Sequence, residues 1–118
     1  MEIKGKVHCF FEQSGTEIWK PIKGYEGLYD VSNYGRVRKG TTVLKPTKDK
    51  LTGYMKINLR KDNTVKYKTV HRLVAEAFLQ NDDALPCVNH KDECKSNNMV
   101  DNLEWCTYKY NSNYKAIK

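Results

Sequence analysis

The residue types that can do chemistry gather between positions 87 and 111. His90 ends the short apolar run Cys87-Val88-Asn89-His90 with Asn89 as its neighbour, and Asn111 follows at a distance. An imidazole accepts a proton near neutral pH, and amide oxygens suit hard cations such as Mg²⁺. Hydrolysis of a phosphodiester needs both functions: a base for the attacking water, and a cation against the charge on the phosphate and the leaving oxygen. A second chemistry is open to the same stretch. Cys87, His90, Cys94 and Cys106 run as C-x2-H-x3-C-x11-C and could close a tetrahedral structural zinc site. Against it, the chain has no CxxC pair, the spacing of common zinc ribbons.

Several elements must position these residues. Cys87–His90 reads as a strand, Asp92 to Asn98 as a polar turn, and the run to Trp105 as a second strand with Leu103 and Trp105 as core. Thr107 reads as a helix N-cap, which places Asn111 in the first turns of a short helix. Upstream, Val70, Leu73, Val74, Ala77 and Phe78 form one apolar stripe, so 70–79 reads as a helix. His71 sits beside that stripe, where packing or hydrogen bonding is expected, and Arg72 is placed to meet a phosphate.

Before the helix, Met55, Ile57 and Leu59 alternate with Lys56, Asn58 and Arg60, the pattern of a half-buried strand. Lys61-Asp62-Asn63-Thr64 reads as a hairpin turn, and Val65 to Val70 returns with Lys66 and Lys68. A ribbon carrying Lys56, Asn58, Arg60, Lys66 and Lys68 on one face suits a DNA major groove. Earlier still, Tyr29 and Val31 alternate with Asp30 and Ser32. Asn33-Tyr34-Gly35 turns the chain, and Arg36-Val37-Arg38 returns with Val37 inward and both arginines toward solvent or a phosphate backbone. Lys45 lies in the following extended segment. Residues 1–16 read as an extension, with Val7–Phe11 as a candidate strand.

Composition points to the same partner. The 118 residues carry a formal charge of +7, unevenly spread. Residues 36–72 hold twelve of the 21 Lys and Arg but two of the 14 acids, Asp49 and Asp62. A basic excess confined to one segment is what a polyanion-binding surface needs, although lysine-rich strands also keep sheet edges soluble. No apolar run is long enough to span a membrane, and the N-terminus lacks a signal-peptide pattern. The four cysteines therefore read as reduced thiols in a cytosolic setting.

Trp19, Gly24, Tyr25, Glu26, Gly27, Tyr29, Val31, Ser32, Asn33, Gly35 and Val37 fall in the pattern of the small NUMOD4-like β-module that precedes many HNH homing endonucleases. The stretch from Cys87 to Asn111 closely resembles the HNH nuclease motif, in the subgroup related to intron-encoded and phage homing endonucleases. The resemblance implies an α+β fold: an N-terminal antiparallel β-hairpin and sheet lobe, then a helix, then a C-terminal ββα-metal motif. Residues 1–16 are then an extension, 17–69 a β-rich DNA-binding module and 70–118 the nuclease module.

It further implies a metal-dependent endonuclease acting on double-stranded DNA in the cytoplasm of a bacterial or phage-infected cell. His90 corresponds to the general base. Asn89 and Asn111 correspond to the protein ligands of a divalent cation, Mg²⁺ first and Mn²⁺ second. Asn102 corresponds to the central asparagine that ties the loop to the histidine by hydrogen bonds. One active site per chain implies nicking by a monomer or weak dimer. Many relatives continue into a helical recognition region where seven residues follow Asn111 here, so a modest specificity ratio and a steep salt dependence are expected. The alternative is a DNA-binding protein that does not cut, with or without the zinc site.

Two departures stand out. Many relatives carry aspartate at the position of Asn89, so weak cation affinity is expected. Glycine and asparagine usually stand where this chain has Glu93-Cys94, so a distorted turn is expected, because glycine enters positive φ most easily.

Overall fold

The computed structural model describes residues 15–111; the candidate strand Val7–Phe11 lies outside them. Four short strands come first among the described residues: β1 (Trp19–Pro21), β2 (Asp30–Ser32), β3 (Val37–Lys39) and β4 (Thr42–Val43), paired antiparallel in that order. A second antiparallel sheet follows, made of β5 (Thr47–Lys48), β6 (Met55–Lys61) and β7 (Thr64–Thr69). Helix α1 (Val70–Phe78) then leads to the hairpin of β8 (Cys87–His90) and β9 (Leu103–Cys106). A helical turn at 108–111 completes the ββα order.

The apolar patterning explains the assembly. Val31 and Val37 from the first sheet, Ile57 and Leu59 from the second, Val70, Leu73 and Val74 from α1, and Val88 and Leu103 from the last hairpin are all buried in one cluster. Helix α1 sits at its centre, with β2, β6, β7, β8 and β9 all packed on it. The helix is short and Thr69 offers it no side-chain cap, so burial of its apolar stripe supplies most of its stability. No helix among the described residues is long and apolar enough to cross a membrane.

Ser32 departs from the expected alternation: it is fully buried. Its hydroxyl accepts the backbone N–H groups of Tyr34 and Arg36 at 3.1 and 3.2 Å, closing the β2–β3 turn. A buried hydroxyl with those partners is satisfied.

The ribbon β6–β7 differs from expectation in one consequential way. Asp62 and Asn63 take φ values of +52° and +64°, as in a two-residue hairpin turn with both central residues left-handed. That turn sets Lys56 opposite Thr69, Asn58 opposite Tyr67 and Arg60 opposite Val65, while Leu59 faces Lys66 and Ile57 faces Lys68. Residues directly opposite share a face. Lys56, Asn58 and Arg60 therefore share theirs with Tyr67, and Lys66 and Lys68 lie on the other. The single-face placement of all five is corrected by the register.

Candidate active site

Strand β8 delivers Asn89 and His90 to the interior, at 1% and 4% exposure. Pairing of β8 with β9 sets Asn89 opposite Glu104, and Asn89 Nδ2 donates to Glu104 Oε2 at 2.8 Å. The amide nitrogen is thereby occupied. Asn89 Oδ1 is buried and accepts no hydrogen bond among the described residues. Asn111 is in the same condition: its Oδ1 is buried with no partner among them. Leaving such an acceptor unmade costs about 1–3 kcal/mol.

The helical turn that carries Asn111 starts as expected. Thr107 Oγ1 accepts the Tyr110 N–H at 3.0 Å, and the Thr107 carbonyl accepts the Asn111 N–H at 3.0 Å. The threonine side chain thus satisfies one of the orphan donors of the first turn.

His90 Nε2 lies 2.8 Å from Asn98 Oδ1. With the amide oxygen as acceptor, this contact is the one made by the tautomer that carries its proton on Nε2. Asn102 acts through the loop. Its Nδ2 donates to Asp92 Oδ1 and to the Asn97 carbonyl, both at 2.9 Å, and its Oδ1 accepts the Asp92 N–H at 3.1 Å. Both amide hydrogens of Asn102 are committed there, so the asparagine that reaches the imidazole is Asn98. Burial pushes the Asp92 carboxyl up, but hydrogen bonds from Asn97, the Cys94 N–H and Asn102, with a smaller contribution from His90, outweigh it and hold it below the ordinary range.

Two rings close over His90. His71 of α1 is buried, with its ring centroid 4.8 Å from that of His90. Tyr54, just before β6, lies 4.6 Å from His71 and 5.8 Å from His90, tilted 19° from the His90 plane. These separations fall in the range of favourable ring contacts. The sequence does not announce Glu104, Asn98 or Tyr54 in these places, and the packing expected of His71 is against His90. The pairing register of two adjacent strands would have exposed Glu104, but the other three arrive from separate segments with no local signal.

The zinc set does not assemble. Cys87 pairs with Cys106 at one end of the hairpin while His90 pairs with Leu103 at the other, roughly 10 Å along the strand. Among the described residues no group of three or more His, Cys, Asp or Glu side chains can hold a metal. Among the described residues Cys87 and Cys106 are thiols. Glu93 takes φ +62°, so the turn keeps the left-handed geometry that glycine favours with a glutamate in place.

The cationic residues divide into two sets. Arg36 pairs with Glu17 and Arg38 with Asp30, and both guanidinium groups stack on Trp19. The Arg36 hydrogen bond, working against burial, holds the Glu17 carboxyl below its usual range. Arg72 donates to the Pro86 carbonyl at 2.7 Å, pairs with Glu76 and lies over Trp105. These three arginines are engaged in holding the fold. Lys45, Asn58, Arg60, Lys66 and Lys68 are exposed, and half-buried Lys56 lies over the Tyr67 ring. Lys66 and Lys68 line a groove of about 410 Å³ together with Lys23 and Lys61.

Comparison with known proteins agrees with this architecture. Residues 17–60 match the NUMOD4 motif. A solved structure of the HNH homing endonuclease I-HmuI superposes with a TM-score of 0.76 at 43% identity, covering 85% of this chain and 58% of that one. The chain is a homologue of the HNH endonucleases. In sequence it is 46% identical to DNA endonuclease I-HmuI of Bacillus phage SP01 over 79% of this chain and 54% of that protein. It is 44% identical to an uncharacterized HNH endonuclease of Acanthamoeba polyphaga mimivirus over 81% of this chain and 29% of that protein. The chain thus spans about half or less of the relatives it matches in sequence. The fold expected for an HNH nuclease, antiparallel sheets followed by a helix and a ββα unit, is the fold observed.

Proposed function

We propose that this protein is a metal-dependent DNA endonuclease of the HNH type that nicks one strand. The observation that carries the proposal is the pair of buried amide oxygens, Asn89 Oδ1 and Asn111 Oδ1, that have no hydrogen-bond partner among the described residues and lie in the same ββα unit as the buried His90. I-HmuI, a homologue of matching fold, binds and cleaves DNA, which supports the same chemistry here.

A hard divalent cation fits two neutral oxygen donors, with substrate phosphate and water completing its shell. Asn89 and Asn111 would hold it, Mg²⁺ first and Mn²⁺ second, and when bound it supplies charge compensation for the phosphate and the leaving oxygen. Glu104 fixes the Asn89 amide so that its oxygen, not its nitrogen, faces the site. His90 Nδ1 takes one proton from the attacking water as the water oxygen bonds to phosphorus and one P–O ester bond breaks. Asn98 holds the ring in the tautomer this step requires. Asn102 is a positioning residue that shapes the loop between Asp92 and Asn97.

The ribbon supplies the grip. Lys56, Asn58, Arg60 and Tyr67 present one face to a groove, with Asn58 and Arg60 placed for base edges. Lys66 and Lys68, with Lys23 and Lys61, meet a phosphate backbone on the other side, and Lys45 adds an exposed charge. One catalytic histidine per chain makes a nick the product of a monomer, and a double-strand break requires a dimer.

Incubating supercoiled plasmid with wild-type protein over a Mg²⁺ and Mn²⁺ series tests the reading. Conversion to open circles by wild type, and its loss in His90→Ala, is the expected result. Plasmid left intact by wild type, or nicked equally by His90→Ala, leaves a DNA-binding protein without chemistry.

A further inference from the structure

Two turns of the NUMOD4 region reach the base histidine of the other module. The first is the β2–β3 turn. Gly35 has φ +87°, and a β-carbon there would stand 2.7 Å from the Asn98 carbonyl oxygen and 2.8 Å from its carbon. Those are backbone atoms with no freedom to yield, so only glycine admits this approach. Two residues on, the Val100 N–H donates to the Asn33 carbonyl at 2.9 Å. Asn33 is itself anchored, since its Oδ1 accepts the Ile18 N–H at 2.7 Å. Asn98 is thus pressed by Gly35 while its neighbour Val100 is tied to Asn33, and it is Asn98 that meets His90 Nε2.

The second turn precedes β6. Lys95 of the HNH loop donates to the Thr52 carbonyl, and its ammonium lies 4.9 Å from the Tyr54 ring centroid. A β-carbon on Gly53 would stand 3.3 Å from Lys95 Cδ. Tyr54, docked in this way, lies over His90 and His71. One turn therefore sets the acceptor of the imidazole, and the other sets the plane against which it packs.

We propose that the NUMOD4 region completes the active site, with Gly35 and Tyr54 as positioning residues for His90, in addition to any part it takes in gripping DNA. The role in cleavage rests on the nuclease reading above. The placement of the ring does not. Neither residue touches the reacting atoms. Misplacing a base by about 1 Å costs up to about 100-fold in rate.

The experiment uses the full chain as Tyr54→Leu, Tyr54→Phe and Gly35→Ala. Thermal melting and DNA affinity are measured for each, with single-turnover nicking at saturating protein. The ¹⁵N resonances of the His90 ring are recorded without metal or DNA, at a pH where imidazole is neutral. In Tyr54→Leu and Gly35→Ala, nicking is expected to fall about tenfold or more, with DNA affinity within about twofold and the ring nitrogens moved toward a mixture of tautomers. Tyr54→Phe restores both. Ring resonances identical to wild type in folded Tyr54→Leu and Gly35→Ala overturn the proposal, as does a loss of nicking fully accounted for by weaker DNA binding. If Gly35→Ala fails to fold, the Tyr54 pair decides. If wild type does not nick, the nuclease reading fails alone and the ring resonances still judge the brace.

Discussion

Asn89 and Glu104 face each other across β8 and β9, and the amide N–H donates to the carboxylate at 2.8 Å while its oxygen stays buried with no partner among the described residues. Replacing Asn89 with aspartate puts a second carboxylate against Glu104. Without cation, like charge and the broken hydrogen bond destabilise the protein by about 1–3 kcal/mol. A bound divalent ion relieves the repulsion. Asn89→Asp should melt lower than wild type without metal, gain more from added Mg²⁺, and reach half-maximal nicking at about tenfold less Mg²⁺. Metal titrations read by melting and by nicking check this. Unchanged metal dependence removes Asn89 from the ligand set.

Glu93 occupies the left-handed region at φ +62°, a conformation that costs an ordinary L-residue about 1–2 kcal/mol. Glu93→Gly should raise stability by about 1 kcal/mol after the added unfolded-state entropy of glycine is subtracted. Urea unfolding at neutral pH measures it, and a midpoint at or below wild type refutes it.

Asp92 has its carboxyl held below the ordinary range by the hydrogen bonds that outweigh its burial. A depressed folded value means its contribution is present above the unfolded value of about 3.9 and is lost as pH falls through the folded one. Wild type should therefore lose stability from about pH 4 downward. Asp92→Asn should be less stable than wild type at neutral pH and converge with it in acid. Urea midpoints across that range, for both proteins, settle the sign.

The two faces of the ribbon should separate from the arginines of the first sheet in salt dependence. Removing one phosphate-binding charge reduces the slope of log affinity against log salt by about 0.9 on B-DNA. Lys56→Gln and Lys68→Gln should each flatten the slope by roughly that amount. Arg38→Gln should leave it nearly unchanged, because Asp30 and Trp19 already engage that guanidinium. Asn58→Ala should alter preference among target sequences with little change in slope. Fluorescence anisotropy over a salt series distinguishes these outcomes, and a slope change in Arg38→Gln equal to that in Lys56→Gln contradicts the division.

Features that depend on neighbours in the chain were legible in the residues themselves. The alternation of Ile57 and Leu59 with Asn58 and Arg60 marked β6, the stripe from Val70 to Phe78 marked α1, and Thr107 marked the start of the turn that carries Asn111. The turn Lys61-Asp62-Asn63-Thr64 is legible too, but the single face read for Lys56, Asn58, Arg60, Lys66 and Lys68 is not the register that its two-residue loop sets.

What surrounds His90 was decided by packing at long range. Asn98 comes from the polar loop, His71 from α1, Tyr54 from the approach to β6, and Gly35 presses on Asn98 from a strand turn 63 positions earlier in the chain. No local periodicity encodes such meetings, because they exist only once three sheets have docked on one helix. The amino-acid order therefore marked His90, Asn89 and Asn111 as the candidates for the site. The tertiary structure alone determined that Asn98 meets the imidazole of His90 and that the rings of Tyr54 and His71 pack against it.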